Sequence, residues 1–164
     1  MINHMLRQAT PQDAAQIAGI YNEYIKNTTI TFELEPVSVE EMETRIRQIS
    51  SRYPYLVYED GDKIAGYCYA HGWKEKAAYD RTVETTVYLH PSYKHQGIGS
   101  RLMDALVKTC REKGFHNLIA CITEENEESV AFHERLGFRQ ASHFHEVGYK
   151  FGRWIGIVDY ELIV

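Results

Sequence analysis

Val87-Tyr88-Leu89-His90-Pro91-Ser92-Tyr93-Lys94-His95-Gln96-Gly97-Ile98-Gly99-Ser100-Arg101-Leu102 decides how the chain is read. The β-favouring run 83–89 ends at Pro91, which cannot donate to a sheet ladder. A basic, glycine-bearing turn follows. Leu102, Met103, Leu106, Val107 and Cys110 then recur at helical spacing until Gly114. Glycines at 97 and 99 let the backbone come close to an anion and aim its N–H groups at it. The helix N-terminus adds unpaired donors and a positive field. Lys94, His95 and Arg101 bring side-chain donors, so the arrangement suits a pyrophosphate. It is not a P-loop, because no Gly-Lys-Ser or Gly-Lys-Thr ending is present. It is not a dinucleotide fingerprint, because position 102 is Leu102 where a third glycine is required. Spacing alone leaves a plain tight turn as an equal reading.

Upstream, residues 6–9 read as a strand, and Thr10, Pro11 and Asp13 as the start of a helix. Ile17, Ile20, Tyr21 and Tyr24 supply its stripe, and the period breaks over 27–35. Ser38 with Glu41 resembles a second capping box, before Met42, Ile46 and Ile49. Residues 55–58 and 63–71 read as strands joined at Asp60-Gly61. Downstream come a strand over 117–122, a short helix over 129–136, and a hairpin of 143–150 and 154–162 around Phe151-Gly152-Arg153. The order implies an α/β layer structure with a mixed central sheet flanked by helices, in a single domain, 1–164.

The bulk numbers agree with one globular domain of 164 residues, 44% of them hydrophobic. A formal charge of -5 argues against nucleic acid, which calls for a basic footprint. Cys68, Cys110 and Cys121 form no framework, so a reducing, cytoplasmic setting is expected. The opening MINHMLRQATPQD has no signal-peptide core, and no apolar run approaches the roughly 20 residues that span a bilayer.

The turn resembles the coenzyme A-binding motif of the GNAT superfamily of N-acetyltransferases, Arg/Gln-x-x-Gly-x-Gly/Ala. Lys94, Gly97 and Gly99 fall on its positions, with Lys94 in place of the usual Arg or Gln. Asn126 followed by Ala131-Phe132-His133-Glu134-Arg135-Leu136-Gly137-Phe138 resembles the second landmark of that superfamily. The blocks Arg52-Tyr53-Pro54-Tyr55-Leu56-Val57, Ala78-Tyr79-Asp80 and Thr82-Val83-Glu84-Thr85-Thr86-Val87-Tyr88 are similar to the phosphinothricin and methionine sulfoximine N-acetyltransferase branch, over about 6–162. The resemblance implies the acyl-CoA N-acyltransferase fold, with splayed strands forming the acetyl-CoA cleft. It also implies a cytoplasmic homodimer acetylating the α-amine of small amino-acid-like compounds, with no metal.

Residue roles follow from the same resemblance. Glu84 matches the proposed base, which takes a proton from the amine before direct attack on the thioester. Val87, Tyr88 and Leu89 would pair with the pantetheine and offer an N–H to the developing oxyanion. Lys94, His95, Gln96, Gly97, Ile98, Gly99, Ser100 and Arg101 would hold the pyrophosphate, and Asn126 and Ser129 the pantetheine arm. His133 or a tyrosine on the last strands would protonate the leaving group; packing of the short helix also accounts for His133. Phe32, Trp73, Lys74, Tyr79 and Thr85 would meet the substrate, although core packing explains Phe32 and Trp73 equally well.

Two departures bear on the substrate. Related chains carry Trp-Lys-Ala-Arg where this one has Trp73-Lys74-Glu75-Lys76, and Trp-His-Asp where it has Trp154-Ile155-Gly156. Other readings carry less. Cys110 and Cys121 are expected in the core rather than in catalysis. His143 and His145 share a strand face, but no third ligand has metal-site spacing. A peptide N-acetyltransferase and a non-catalytic acyl-CoA sensor are the competing functions.

Overall fold

The computed structural model describes residues 4–164. Among them, seven strands form one sheet: β1 (His4–Gln8), β2 (Tyr55–Asp60), β3 (Lys63–Gly72), β4 (Thr82–Leu89), β5 (Asn117–Thr123), β6 (Arg139–Lys150) and β7 (Arg153–Ile163). Their order is β1-β2-β3-β4-β5-β7-β6. Every neighbouring pair is antiparallel except β4 and β5. Four helices complete the layers: α1 (Ala14–Asn27), α2 (Val39–Ser50), α3 (Ile98–Glu112) and α4 (Glu127–Arg135).

Local chemistry sets the helix starts. The Thr10 N–H donates to Asp13 Oδ2 at 2.7 Å. Arg7 clamps both oxygens of that carboxylate at 2.8 Å. Burial works to raise the Asp13 pKa, but the Arg7 and Thr10 hydrogen bonds prevail and hold it below its ordinary value. Ser38 Oγ accepts the Glu41 N–H at 3.0 Å. The second box is only half made, because the Glu41 carboxylate accepts from Arg45 instead.

The sheet is buried on both faces in its centre. Leu56, Val83, Leu102, Met103, Leu106 and Leu118 pack on the α3 side. Ile17, Ile25, Ile46, Val57 and Tyr67 pack on the α1–α2 side. Alternate residues of β2 enter the two clusters, which is why Tyr55-Leu56-Val57-Tyr58 reads as continuously apolar.

Two readings change. β6 begins at Arg139, ahead of the expected 143, because Arg139-Gln140-Ala141-Ser142 is held by backbone pairing to β7 and carries no apolar alternation. Cys110 is buried as expected, whereas Cys121 is exposed. On β5 the neighbours Ala120 and Ile122 take the core face, so Cys121 takes the other.

The parallel pairing is brief. Only Thr82↔Asn117, Val83↔Leu118 and Glu84↔Ile119 are in register. Beyond them β4 stays with β3 as far as Gly66↔Leu89, while β5 stays with β7 over all seven of its residues. A wedge therefore opens from Thr85 onward.

Leu102 is fully buried beneath this region. Leu102→Ala is expected to lower unfolding stability by about 2–5 kcal/mol, as buried Leu truncations do. Urea denaturation of both proteins checks it.

Candidate active site

The wedge is an inner pocket of about 70 Å³ between Thr85–Tyr88 and Ala120–Thr123. It opens into a cleft of about 360 Å³ bounded by the end of β4, the turn before α3, and α4. The turn is built from residues that rarely share a conformation. His95 has φ 62° and Gly97 has φ 79°, both left-handed. For Gly97 this costs little; for His95 it is strain held at the mouth of the cleft. Nothing lies within 4 Å of where a Gly97 side chain would begin. At Gly99 a Cβ would meet Phe132 at 3.5 Å and Leu89 at 3.6 Å, so α4 and β4 close on bare backbone there.

Val87, Tyr88, Leu89, Lys94, His95, Gly97, Gly99, Ser100, Asn126 and Ser129 all line this cleft. Three expected members do not present side chains to it. Ile98 is buried in the core. Gln96 Nε2 donates to Ser92 O at 3.3 Å. Arg101 Nη1 donates to the Tyr58 hydroxyl on β2 at 2.8 Å, so its charge serves the sheet. What Gln96 and Ile98 can offer a ligand is their backbone.

Tyr24, Ile30, Glu128, Phe132 and Arg135 also line the cleft; Phe132 and Arg135 belong to the second landmark, but none of the five was expected to bind. Arg135 lies on α4, seven residues after Glu128, which places both on one helical face; that spacing was the available signal. Tyr24 donates its hydroxyl to Leu89 O at 2.5 Å. Asn126 caps α4, its Oδ1 accepting the Ser129 N–H at 3.2 Å, so its Nδ2 is what it can offer a ligand. Thr123 Oγ1 is buried in the inner pocket and has no partner among the described residues. A bare glycine turn beside Lys94 and Arg135, an unpaired strand edge and an orphaned hydroxyl fit a long anionic ligand with amide groups along its length.

Glu84 is the last residue of β4 paired to β5. His71, opposite it on β3, brings Nε2 to 3.0 Å from Glu84 Oε2. His71 Nδ1 lies 3.0 Å from Gly72 O. A carbonyl and a carboxylate both accept, so both ring nitrogens are asked to donate, and the arrangement favours imidazolium. The hydrogen bond to Glu84 accordingly raises the His71 pKa, against a smaller opposing effect of burial.

His133 is the opposite case. It is 4% exposed and packs edge-on against Phe132 and Phe138. Its Nδ1–H donates to Ser129 O at 2.8 Å. Burial pushes its pKa down, so the neutral ring is favoured. Thr85, also buried, has Oγ1 3.4 Å from Ile119 O at the wedge apex. Cys121, although exposed as a residue, lines the inner pocket, and desolvation there pushes its thiol up to about 12, which removes it as a thiolate nucleophile.

The remaining expected substrate residues lie outside the cleft lining. Lys74 Nζ sits 4.3 Å from the Trp73 ring and 5.6 Å from the Tyr79 ring. Those rings meet edge-on at 5.3 Å, so the three side chains close on one another beside the start of β4. Phe32 packs over Gly148 of β6, where any side chain would overlap it at 2.2 Å. Its segment is tied down by Lys150, whose Nζ donates to Thr31 O at 2.8 Å and Glu33 O at 3.0 Å.

The two histidines have opposite pH signatures. The His71 pair contributes stability that is complete below about 6.5 and is lost as pH rises through the elevated folded value. Buried His133 contributes stability present above about 6.5 and lost as pH falls through its depressed value. Histidine ring NMR over a pH series is expected to show His71 titrating above, and His133 below, the ordinary range. The reverse order would contradict the geometry.

The acetyltransferase (GNAT) domain profile matches residues 6–158. A phosphinothricin N-acetyltransferase of Streptomyces viridochromogenes is 38% identical, covering 91% of this chain and 81% of that protein. An L-methionine sulfoximine/L-methionine sulfone acetyltransferase of Pseudomonas aeruginosa is 33% identical, covering 96% and 92%. The crystal structure of a GNAT superfamily phosphinothricin acetyltransferase from Sinorhizobium meliloti, in complex with acetyl-CoA, superposes with a TM-score of 0.94. It is 34% identical and covers 98% of this chain and 88% of that one.

Proposed function

The chain belongs to the GNAT acetyltransferase family, and from that premise we propose that it transfers acetyl from acetyl-CoA to the α-amine of a small amino-acid-like compound, with Glu84 and His71 as the proton acceptor. The observation that carries this reading is the hydrogen-bonded Glu84–His71 pair at the apex of the β4–β5 wedge, one residue before Thr85 of the inner pocket. Relatives named for phosphinothricin and methionine sulfoximine acetylation support the substrate class.

The backbone of Gln96 to Ser100, with Lys94 and His95, holds the pyrophosphate. Asn126 Nδ2 and the unpaired edge of Val87 to Leu89 hold the pantetheine amides, as an added strand would be held. The bound donor supplies an acetyl thioester. A free backbone N–H in Val87 to Leu89 meets charge developing on the acyl oxygen.

An α-ammonium group must lose a proton before it attacks. Glu84 takes it, directly or through one water, and shares it with His71 across their 3.0 Å contact. The pair accepts a proton once His71 has lost its own, so activity rises with pH through the elevated His71 ionisation. Attack forms the C–N bond and collapse breaks the C–S bond, coenzyme A leaving as a thiolate that takes its proton from water, while His133, neutral and committed to Ser129, holds α4 against the wedge. Thr85 and Cys121 in the inner pocket, with Phe32 and the Trp73-Lys74-Tyr79 group further out, shape the approach of the amine.

We read the working form as a cytoplasmic homodimer. Phe144, Val147, Tyr149, Phe151 and Trp154 on the β6–β7 hairpin are each at least half exposed, an aromatic-rich surface of the kind that interfaces cover.

Thiol release from acetyl-CoA is expected with L-methionine sulfoximine, L-methionine sulfone or L-phosphinothricin, saturably. Glu84→Gln is expected to lower kcat by about 10²–10⁴, the usual worth of a positioned base. His71→Gln is expected to remove the ionisation above 6.5 from the kcat/KM profile while leaving KM for acetyl-CoA unchanged. Activity on peptides alone, or donor binding with no turnover of any amine, would replace this reading with one of the alternatives.

A further inference from the structure

Glu124, His143 and His145 place one ligand atom each within 4.8 Å of one another, all at the surface. Sequence spacing offered only the two histidines. The third donor comes from the segment between β5 and α4, which crosses back over the β6–β7 hairpin. From these three side chains we infer a divalent transition-metal site, for zinc or an ion of similar preference, distinct from the acetyl-transfer machinery and not required by its chemistry.

Three features make this more than a surface contact. First, the donor set is two imidazoles and a carboxylate, a combination that suits zinc with a fourth position left for water. His143 and His145 are two apart on β6 with rings 4.2 Å between centroids, side by side as a two-histidine chelate needs. Second, the strand is shaped locally to present them. The β6–β7 register is irregular between Phe144 and Gly148, and Glu146 has φ 51°. Bulges of this kind re-aim side chains. Third, the carboxylate is seated. Glu124 Oε1 accepts the Gly156 N–H at 3.2 Å, an orienting contact behind a ligand. A side chain at Gly156 would overlap Glu124 Oε2 at 2.5 Å, so the glycine in β7 is what admits the carboxylate.

Without metal, Glu124 Oε2 accepts from His143 Nε2 at 2.6 Å. Donors about 2.0–2.1 Å from a tetrahedral ion stand roughly 3.3 Å apart, so this contact must open by less than about 1 Å. Both side chains are 39% exposed and have room to do it. A bound ion would join the β5–α4 segment to the hairpin, next to Asn126 at the cleft.

The test uses untagged, chelator-treated protein titrated with zinc chloride by calorimetry, and with cobalt(II) by visible absorption. One equivalent is expected, at micromolar affinity or tighter, with intense d–d bands of a four-coordinate cobalt ion. His145→Ala and Glu124→Gln are each expected to weaken binding at least tenfold and to abolish those bands, while both proteins keep wild-type circular dichroism. Should either variant misfold, His143→Asn, which keeps a hydrogen-bonding side chain of similar size, is measured in its place. Binding only at millimolar zinc, or binding unchanged in the variants, overturns the site.

Discussion

β4 cannot satisfy both of its neighbours. It is paired to β3 up to Leu89, and β5 is paired to β7 along its whole length, so the only parallel contact among the described residues lasts three residue pairs. A parallel pair also cannot be joined by a hairpin. It requires a crossover, here α3, which must start where β4 ends and pack back on the sheet. These two facts place an open strand edge and a helix N-terminus at the same spot. An edge of unpaired N–H and C=O groups is costly when left dry and is a template when wet. Tyr24 relieves it once, at Leu89 O, and the inner pocket leaves Thr123 Oγ1 with nothing. The structure thus keeps an unmet hydrogen-bonding demand along the line that leads to the glycine turn.

The same divergence explains why a buttressed carboxylate sits at the apex. Glu84 is the last residue held on both sides, by His71 in β3 and Ile119 in β5. A carboxylate there is fixed by two strands yet adjoins the opening. A carboxylate held on a loop would need its position enforced by other contacts; this one inherits it from the sheet.

What could be read from the sequence was what is local. The turn at Gly97 and Gly99, the stripe from Leu102 to Cys110, and the strand before Pro91 each carry their signal within a few residues. What escaped depends on register. The His71–Glu84 pair spans 13 positions and exists only because β3 and β4 pair in one alignment. Arg101 was expected to face the anion because it follows the turn, but the helical period carries it round to Tyr58. Cys121 was assigned to the core because its strand is apolar, but the core face of β5 belongs to its neighbours Ala120 and Ile122. Lys74 resembled a free cation until the fold laid it over Trp73 and Tyr79. Each miss is a side-chain direction, and each secondary element involved was recognisable.

The segment over the cleft shows which tethers matter. Thr29 and Arg153 both reach Glu125, and Arg153 does so through two bonds of 2.7–2.8 Å. The Arg153 hydrogen bonds hold the Glu125 pKa down to about 2. Yet both partners are open to solvent, and exposed ion pairs contribute about 0–1 kcal/mol. Lys150 is different. It is 3% exposed, burial depresses its pKa, and its ammonium answers two backbone carbonyls of 31–33. Each of those carbonyls would cost about 1–3 kcal/mol if left unpaired. Glu33, whose backbone Lys150 holds, is itself clamped by Arg45 from α2. The hold on this segment therefore runs from α2 through Glu33 to the end of β6, and the conspicuous surface pair at Glu125 adds little to it. A hairpin that anchors the roof of the cleft from beneath is a place where movement of β6 is felt at Phe32. That makes the exposed aromatic face of the same hairpin relevant to the site, even though none of its residues reaches the cleft.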